Sequence, residues 1–281
     1  MPVTDATLEA DIKKLVRIAL EEDIGTGDIT AALIPEGSLS HAKVISRENA
    51  ILCGCAWFSE VFQQLNADIC VEWLATDGDS IEAGQTLCTL HGDSRSLLSG
   101  ERSALNFLQT LSGTATRAHE YVQATAGTGA IMLDTRKTLP GLRTAQKYAM
   151  VCGGGHNHRI GLFDAFLIKE NHILAAGSIT AAIERARAIK SSVAVQVEVE
   201  NFEELQEAIK AGAEKILLDN MSIEKMREAV AITRGRATLE ASGGVTLDNV
   251  HVIAETGVDF ISSGDITKDL HAVDLSMCFL N

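Results

Sequence analysis

The stretch VCGGGHNHRIGL, residues 151–162, combines three glycines with a cysteine, two histidines and an arginine. Thiolate and imidazole are common zinc ligands, so Cys152, His156 and His158 are candidates for a metal site. The sequence offers no fourth ligand at a suitable spacing, and Arg159 would repel the ion. A glycine turn that places His158 and Arg159 beside an anion is therefore favoured, with a purely structural turn as the alternative for His156.

Cationic side chains are concentrated in residues 134–172, although the whole chain has a formal net charge of −14. Part of this run is expected to form an ordinary solvated helix face. Arg136, Lys137 and Lys169 differ, because each follows an apolar run whose other residues point into a core. Cations that converge in a buried place need an anion to offset their charge. We therefore expect a pocket for a ligand rich in carboxylate or phosphate groups.

Two carboxylates, Glu198 and Asp219, also end apolar runs. Such a pair can hold Mg²⁺ through water, accept hydrogen bonds from sugar hydroxyls, or transfer protons as an acid and a base. A salt bridge to Lys169 or Lys137 is the structural alternative. Beside a phosphate site, contacts to Mg²⁺ and ribose are favoured over proton transfer.

Small residues end the last two apolar runs, which read ASGGV and SSGDI. Glycines let backbone N–H groups approach a phosphate, and the amino terminus of the next helix adds a favourable dipole. Barrel proteins commonly bind phosphate after their final two strands. The predicted phosphate cradle consists of Ser242, Gly243, Gly244, Ser263, Gly264 and Asp265.

Six short apolar runs, each followed by a helical pattern, must position these side chains: AIMLD, AFLIK, VAVQVEVE, KILLD, ATLEAS and DFISSG. From Lys169 onward the runs end at Glu198, Asp219, Ser242 and Gly264, a spacing typical of βα units in a parallel sheet. Because barrel chemistry lies at the carboxyl ends of the strands, we expect these residues to meet at one mouth. Six runs instead of eight predict an incomplete, open barrel.

The first hundred residues differ, with an amphipathic helix followed by short alternating runs that indicate half-exposed antiparallel strands. Residues 77–93 resemble the hairpin of lipoyl- and biotinyl-carrier folds but contain no lysine, so we expect a structural hairpin. The acidic charge balance argues against nucleic acid and anionic membranes as partners. The sequence shows no signal peptide and no long apolar span, and its six scattered cysteines are expected to be thiols, so the chain is predicted to be cytoplasmic.

Longer motifs connect these features to a known family. The stretch DTRKTLPGLRTAQKYAMVCGGGHNHRIGLFDAFLIKENH, together with EVEN, LLDNM, EASGGV and ETGVDFISSGDITK, resembles the quinolinate phosphoribosyltransferase family. The likeness extends to EEDIGTGDIT and GERSALNFLQTLSG. It implies an α/β fold with an N-terminal α/β sandwich over residues 1–114, joined by the tail 270–281, and an open parallel α/β barrel over residues 115–269. It also implies a homodimer in which the sandwich of one subunit caps the barrel of the other.

The resemblance implies a reaction and a set of site residues. The family joins quinolinate to phosphoribosyl pyrophosphate with Mg²⁺, giving nicotinate mononucleotide, pyrophosphate and carbon dioxide for NAD biosynthesis. Lys137, Lys169, Glu198 and Asp219 would be catalytic, and the two carboxylates would also hold the metal. The substrate-binding set would be Arg102 from the neighbouring subunit, Thr135, Arg136, Lys137, His158, Arg159, Lys169, Glu198, Asp219 and the phosphate cradle named above.

Asp265 and Lys268 depart from the family pattern, which commonly has a small apolar residue and a histidine at these positions. Because a carboxylate repels phosphate, a helix-capping role for Asp265 is the alternative to a phosphate contact. A related phosphoribosyltransferase with a different acceptor, or a non-catalytic phosphate-binding protein, would share much of the pattern. The joint presence of the four predicted catalytic residues favours the enzyme.

Overall fold

The computed structural model describes residues 5–280, so residues 1–4 of the predicted N-terminal domain and Asn281 lie outside the described part of the chain. Its helices are α1 (Asp5–Ile24), α2 (Cys55–Leu65), α3 (Ser94–Ala124), α4 (Arg143–Cys152), α5 (Glu170–Ala176), α6 (Ile179–Ile189), α7 (Phe202–Lys210), α8 (Ile223–Thr233), α9 (Leu247–Ala254) and α10 (Asp265–Lys268), with a short 3₁₀ helix at Ala31–Leu33. Its strands are β1 (Leu39–Ser46), β2 (Ala50–Ile51), β3 (Cys70–Trp73), β4 (Ser80–Ile81), β5 (Thr86–Asp93), β6 (Ile131–Leu133), β7 (Phe166–Ile168), β8 (Val195–Val199), β9 (Lys215–Asp219), β10 (Thr238–Ser242), β11 (Phe260–Ser262) and β12 (Leu275–Leu280). In this part of the chain, no helix is both long and apolar enough to cross a bilayer.

The chain divides into two compact units. The N-terminal unit comprises the described residues up to His119, together with Leu139–Gly154 and the chain from Asp269 onward. The barrel unit comprises Glu120–Thr138 and Gly155–Lys268. Each unit thus gathers segments that are separated in the sequence.

The N-terminal unit is built on a four-stranded antiparallel sheet in the order β12, β1, β5, β3. The C-terminal tail supplies the edge strand β12, which pairs with β1 so that Leu275 lies opposite Ser46. Trp57, Phe58 and Phe62 of α2 are fully buried in the apolar core of this unit. Large aromatic side chains remove much apolar surface from water, so α2 is a main source of the stability of this unit.

Residues 139–154 pack with the N-terminal unit, whereas the predicted boundary placed them in the barrel domain. Ala145 of α4 is fully buried in the same apolar core as the aromatic residues of α2. The Tyr148 ring lies 5.5 Å from that of Trp57, and the Tyr148 hydroxyl donates to Asp77 Oδ2 at 2.9 Å. The apolar face of α4 therefore finds its partners outside the βα units, which the order of elements along the chain does not reveal.

Residues 77–93 do not form the simple hairpin predicted from the sequence. β4 pairs with β2, whereas β5 pairs with β1 and β3, so the two strands belong to different sheets. Asp77 Oδ1 accepts the backbone N–H groups of Gly54 at 2.9 Å and Cys55 at 3.0 Å, where α2 begins. This segment therefore has a structural role that local alternation of apolar residues could not specify.

The barrel unit contains a parallel sheet of six strands in the order β6, β11, β10, β9, β8, β7. Among the described residues, the edge strands β6 and β7 do not pair with each other, so the sheet stays open. His156 extends the β6 edge through its backbone, because it forms a parallel bridge with Leu133 and its N–H donates to the Met132 carbonyl at 2.9 Å. The α/β class and the open parallel barrel predicted from the sequence are confirmed.

The C-terminal tail passes very close to α3 within the N-terminal unit. A Cβ atom at Gly113 would lie 2.1 Å from the carbonyl oxygen of His271, a distance that real side chains do not adopt. Next to this contact, the N–H of Val273 donates to the carbonyl of Gln109 at 3.1 Å. The missing side chain at position 113 therefore lets the tail reach the edge of the sheet as β12.

We expect Gly113→Ala to destabilise the protein by about 1–3 kcal/mol, because the new methyl group must displace the tail. Urea unfolding followed by circular dichroism measures this change. Gln123→Ala, an exposed position on the same helix, is the matched control and should change stability by less than about 0.5 kcal/mol. Equal unfolding midpoints for Gly113→Ala and the wild type would contradict the close contact.

Candidate active site

The strand register places the predicted site residues on one face of the barrel sheet. Glu198 of β8 lies opposite Leu217 of β9, and Asp219 comes two residues later on the same strand. Asp219 in turn lies opposite Ser242 of β10. Because side chains alternate along a strand and residues in register share a face, both carboxylates and Ser242 lie on a common face at the carboxyl edge. The structure thus brings these residues together as the strand rhythm predicted.

Lys169 and Glu198 form a salt bridge at this edge. Lys169 directly follows β7, which is the neighbour of β8, and its ammonium group hydrogen-bonds Glu198 Oε2. The sequence left a salt bridge to Lys169 as the structural alternative to metal or ribose binding by Glu198, and this salt bridge is present. Asp219 has a different partner, since its Oδ2 accepts the Asn220 side-chain amide at 2.7 Å.

Lys137 lies over the loop that follows β11. A Cβ atom at Gly264 would lie 2.7 Å from Cδ of Lys137, so the glycine lets the lysine stem rest against the backbone. The Thr267 hydroxyl donates to the Lys137 carbonyl at 2.7 Å, and the Thr135 hydroxyl accepts the Lys137 N–H at 3.0 Å. These bonds fix the chain after β6 relative to α10, while the Lys137 side chain remains exposed.

The two predicted phosphate loops are joined to each other and to the end of β9. Gly243 and Gly244 have φ values of 95° and 61°, which favour glycine. A Cβ atom at Gly243 would lie 2.1 Å from Asn220 Oδ1, so this loop and the end of β9 approach each other closely. The Ser263 hydroxyl donates to the Val245 carbonyl at 3.0 Å, which links the loop after β11 to the loop after β10.

Asp265 has a partner that the sequence did not indicate. The hydroxyl of Tyr121, which is fully buried, donates to Asp265 Oδ2 at 2.7 Å. α10 begins at Asp265 itself, and the Asp265 N–H donates to the Ser263 hydroxyl at 3.3 Å. The carboxylate at this departure from the family pattern therefore connects the predicted phosphate loop to the end of α3.

Arg136 and Arg159 lie close enough for their positive charges to interact. Burial, together with the positive charge of Arg136, lowers the pKa of Arg159. The Arg159 Nη1 group donates to the Ala165 carbonyl at 3.2 Å. Guanidinium groups stay charged at neutral pH, so the two side chains repel each other and a bound anion would relieve that repulsion.

Asp164 shapes the loop that follows Arg159. Its two carboxylate oxygens accept the N–H groups of Ile160 at 2.8 Å and Gly161 at 2.9 Å. Burial alone would raise the pKa of Asp164, but these hydrogen bonds outweigh burial and leave that pKa below its usual value. The carboxylate therefore stays ionised and holds the loop in a single turn.

His158 is held by protein groups on all sides. Its Nδ1 accepts the Arg159 N–H at 2.7 Å, and its Nε2 lies 2.9 Å from Gln196 Oε1 and 3.3 Å from Glu240 Oε2. Its backbone N–H donates to Asp134 Oδ1 at 2.9 Å. Both ring nitrogens thus have protein partners, although the family resemblance gave this ring to the substrate carboxylates.

Gln196 and Glu240 were not predicted as site residues, although the sequence carried a signal for them. Each precedes a predicted site residue by two positions: Gln196 precedes Glu198, and Glu240 precedes Ser242. Two positions on a strand return to the same face, so both polar side chains had to point toward the barrel interior. The apolar residues that dominate both runs predict the strands but give no role to the polar residues within them.

The proposed zinc ligands are distributed between the two units. Cys152 ends α4 in the N-terminal unit, whereas His156 and His158 belong to the barrel unit. Within the described residues, no group of three or more His, Cys, Asp or Glu side chains is arranged to hold a metal ion. Arg102, the remaining predicted site residue, is exposed on α3 in the N-terminal unit, and its role stays a prediction.

Comparisons with known proteins agree over nearly the whole chain. Residues 28–112 match the family described as Quinolinate phosphoribosyl transferase, N-terminal domain, and residues 114–278 match its C-terminal domain. A probable nicotinate-nucleotide pyrophosphorylase (carboxylating) of Bacillus subtilis (strain 168) is 41% identical over 267 residues, which cover 95% of this chain and 92% of the relative. The Nicotiana tabacum protein named quinolinate phosphoribosyltransferase (decarboxylating) 2b, mitochondrial, is 38% identical, with 95% of this chain and 82% of the relative covered.

Solved structures lead to the same family. The nicotinate-nucleotide pyrophosphorylase from Francisella tularensis has a TM-score of 0.95 and 48% sequence identity to this chain, with 97% of each chain covered. NadC from Streptococcus pyogenes has a TM-score of 0.92 and 36% identity, with 96% of this chain and 97% of that chain covered. The chain belongs to the quinolinate phosphoribosyltransferase family.

Proposed function

We propose that the strand-end site joins quinolinate to phosphoribosyl pyrophosphate and releases pyrophosphate and carbon dioxide. As a member of its family, the protein is a pentosyltransferase of NAD biosynthesis that forms nicotinate mononucleotide. The observation that carries the site assignment is the convergence of cationic side chains and two glycine loops at the carboxyl edge of one parallel sheet. Both substrates are polyanions, and this edge offers the charge that they require.

Arg136, Arg159 and Lys169 are assigned to the quinolinate carboxylates. The pyridine dicarboxylate is small and planar, and guanidinium groups bind carboxylates through two parallel hydrogen bonds. Burial first and the positive charge of Arg136 second lower the pKa of Arg159, and an anion bound beside the two guanidinium groups would offset both effects. His158 is assigned to the same subsite, where its bond to the Arg159 backbone gives it a supporting position.

The phosphoribosyl donor is assigned to the other part of the mouth. Lys137 and Lys169 would contact the donor, and Glu198 and Asp219 would accept hydrogen bonds from the ribose hydroxyls. The 5′-phosphate would lie against the backbone of the two glycine loops. The close approach of Gly264 to Lys137 supports this placement, because it sets a cationic side chain beside the loop that would bind the phosphate.

Mg²⁺ fits the same pair of carboxylates. Glu198 and Asp219 supply the hard oxygen ligands that Mg²⁺ prefers, and this ion commonly keeps several waters and binds substrate phosphates. When bound with the donor, Mg²⁺ would offset part of the charge on the pyrophosphate. The protein side of this site is the carboxylate pair, and the Lys169 salt bridge to Glu198 would be weakened when both ligands bind.

The reaction needs positioning more than proton transfer. The pyridine nitrogen attacks the anomeric carbon while the bond to pyrophosphate breaks, through a transition state with oxocarbenium character. The new bond makes the ring nitrogen cationic, and that charge stabilises the electron pair left at C2 when the 2-carboxylate departs as carbon dioxide. A proton then takes the place of the carboxylate. Lys137 would offset the negative charge that grows on the leaving pyrophosphate, and the arginine pair would align the ring.

The proposal also includes a homodimer, in which each subunit supplies Arg102 to the site of its partner. It further includes a cytoplasmic location. Arg102 is exposed on α3 in the N-terminal unit, whereas the other cations of the site lie in the barrel unit. An isologous dimer supplies such a residue to each site from the partner subunit. All six cysteines are free thiols, which suits a reducing compartment such as the cytoplasm.

The first test follows carbon dioxide released from quinolinate labelled at the 2-carboxylate. We expect release that requires phosphoribosyl pyrophosphate, matches pyrophosphate formation mole for mole, and stops when EDTA removes divalent cations. Nicotinate, which lacks the departing carboxylate, is the control acceptor. Turnover of nicotinate without turnover of quinolinate would favour the related transferase with a different acceptor.

Lys137→Ala and Arg159→Ala should affect different steps. We expect Lys137→Ala to lower kcat about 100-fold, because a charge that acts on the leaving group is lost. Arg159→Ala should raise the KM for quinolinate about tenfold or more, while the KM for the donor stays within about twofold. Lys210→Ala, at the exposed end of α7, is the lysine control and should retain wild-type kinetics. Normal turnover by Lys137→Ala would remove that residue from the mechanism.

Mixed dimers test the shared Arg102. Arg102→Ala and Lys169→Ala homodimers should each be nearly inactive. After subunit exchange, about half of the dimers are mixed and each has one complete site, so about a quarter of wild-type activity should return. Mass spectrometry of differently tagged subunits verifies the exchange. Verified exchange without recovered activity would show that Arg102 does not act across the dimer.

A further inference from the structure

A buried polar layer lies beneath the site. Gln196 and Glu240 are 6% and 4% exposed, and each lies one step below a mouth residue on its strand. Glu198 on β8 and Glu240 on β10 both lie opposite Leu217 on β9, and Gln196 lies two residues before Glu198 on β8. All three side chains are therefore on the same face of the sheet. Neither side chain reaches the edge where the substrates are proposed to bind. Burying two polar side chains in a barrel interior costs free energy unless their polar atoms form hydrogen bonds.

The hydrogen bonds of this layer run in one direction. The Gln196 Nε2 group donates to Glu240 Oε2 at 2.8 Å, so the other end of the same amide, Oε1, is an acceptor. That acceptor lies 2.9 Å from His158 Nε2, and Glu240 Oε2 lies 3.3 Å from the same nitrogen. His158 Nδ1 accepts the Arg159 N–H at 2.7 Å and therefore carries no proton. The ring proton is on Nε2, facing two acceptors.

The charge of Glu240 fits this direction. Burial raises the pKa of Glu240, but the hydrogen bond from His158, with further hydrogen bonds from Ser262 and Gln196, outweighs burial and leaves that pKa below its usual value. The carboxylate therefore stays ionised and acts only as an acceptor. An ionised acceptor below the ring favours a proton on Nε2, and this leaves Nδ1 available for the Arg159 N–H.

We infer that Gln196 and Glu240 are positioning residues that set the orientation and the tautomer of His158, and that His158 in turn fixes the backbone from which Arg159 reaches the substrate. The inference rests on the proposed binding of quinolinate by Arg159. Asp134 completes the support, because its Oδ1 accepts the N–H of His158 at 2.9 Å. In this arrangement His158 acts through Arg159, and its ring is not a proton donor to the substrate.

Two substitutions at His158 separate support of Arg159 from direct contact with substrate. His158→Asn keeps an acceptor where Nδ1 lies but loses the bond to Gln196 and Glu240, whereas His158→Gln reaches toward Gln196 but loses the acceptor for Arg159. We expect the KM for quinolinate to rise about threefold in His158→Asn and tenfold or more in His158→Gln, with the donor KM within about twofold. Equal losses in both variants would overturn the role of Nδ1.

Glu240→Gln tests the buried charge with almost unchanged shape. We expect the KM for quinolinate to rise about tenfold, because a charge-assisted hydrogen bond becomes a neutral one, while kcat at saturation changes about twofold or less. Glu228→Gln, an exposed carboxylate on α8, is the matched control. Wild-type kinetics in Glu240→Gln would overturn the role of the charge.

Nitrogen-15 NMR of histidine-labelled wild-type protein reads the tautomer directly and does not depend on activity. The His158 signals are identified by their absence from the spectrum of His158→Asn. We expect the wild type to show a protonated Nε2 and an unprotonated Nδ1 and Glu240→Gln to show a larger share of the other tautomer. A protonated Nδ1 in the wild type would overturn the inference.

Failure of the proposed function and failure of the positioning role give different results. If the proposed function is wrong, the wild type will not release carbon dioxide from quinolinate, yet the NMR signals of His158 will still show the Nε2 proton. If the positioning role is wrong, the wild type will turn over quinolinate, but the NMR result or the order of the two His158 variants will contradict the expected pattern.

Discussion

The repulsion between like charges at one edge of a parallel sheet is the constraint on which this structure depends. Arg136 and Lys137 follow β6, Lys169 follows β7, and Arg159 lies in the segment between α4 and β7, within a chain whose net charge is −14. Strands that run in parallel bring their carboxyl ends to a common edge, so the fold itself concentrates these cations. The protein must keep them there before any anion arrives, which explains why carboxylates and hydrogen-bonded loops surround them.

The carboxylates around the site differ in how firmly they are held. The Lys169 side chain is 47% exposed, so its salt bridge to Glu198 is worth little and can be exchanged for substrate at small cost. Asp164 and Glu240 are different, because hydrogen bonds hold their pKa values below the usual range in spite of burial. The exposed Lys169–Glu198 salt bridge can therefore be replaced by a bound ligand. The hydrogen bonds of Asp164 and Glu240 instead hold the segment that carries His158 and Arg159.

The backbone of the two glycine loops packs closely against neighbouring side chains. Gly243 and Gly264 have no room for a Cβ atom, because Asn220 and Lys137 occupy that space. The loops that carry them are also tied to one another and to the buried Tyr121 through Ser263 and Asp265. The proposed binding of phosphate by the backbone needs loops that keep their conformation when the ligand binds, and these contacts restrain both loops.

The sequence by itself determined the class of fold and most of the mouth. The recurrence of apolar runs ending in Lys169, Glu198, Asp219 and Ser242 predicted the open parallel barrel and the edge at which they meet, since strand period and βα spacing are local properties of the chain. Only the tertiary structure decided which side chains touch. Tyr121 and Asp265 are 144 residues apart, and His158 and Gln196 are 38 apart, so no spacing rule could pair them. The position of α4 in the N-terminal unit was likewise decided by where its apolar face found partners. Such contacts depend on packing among distant segments, and their energies exist only once the whole chain is folded.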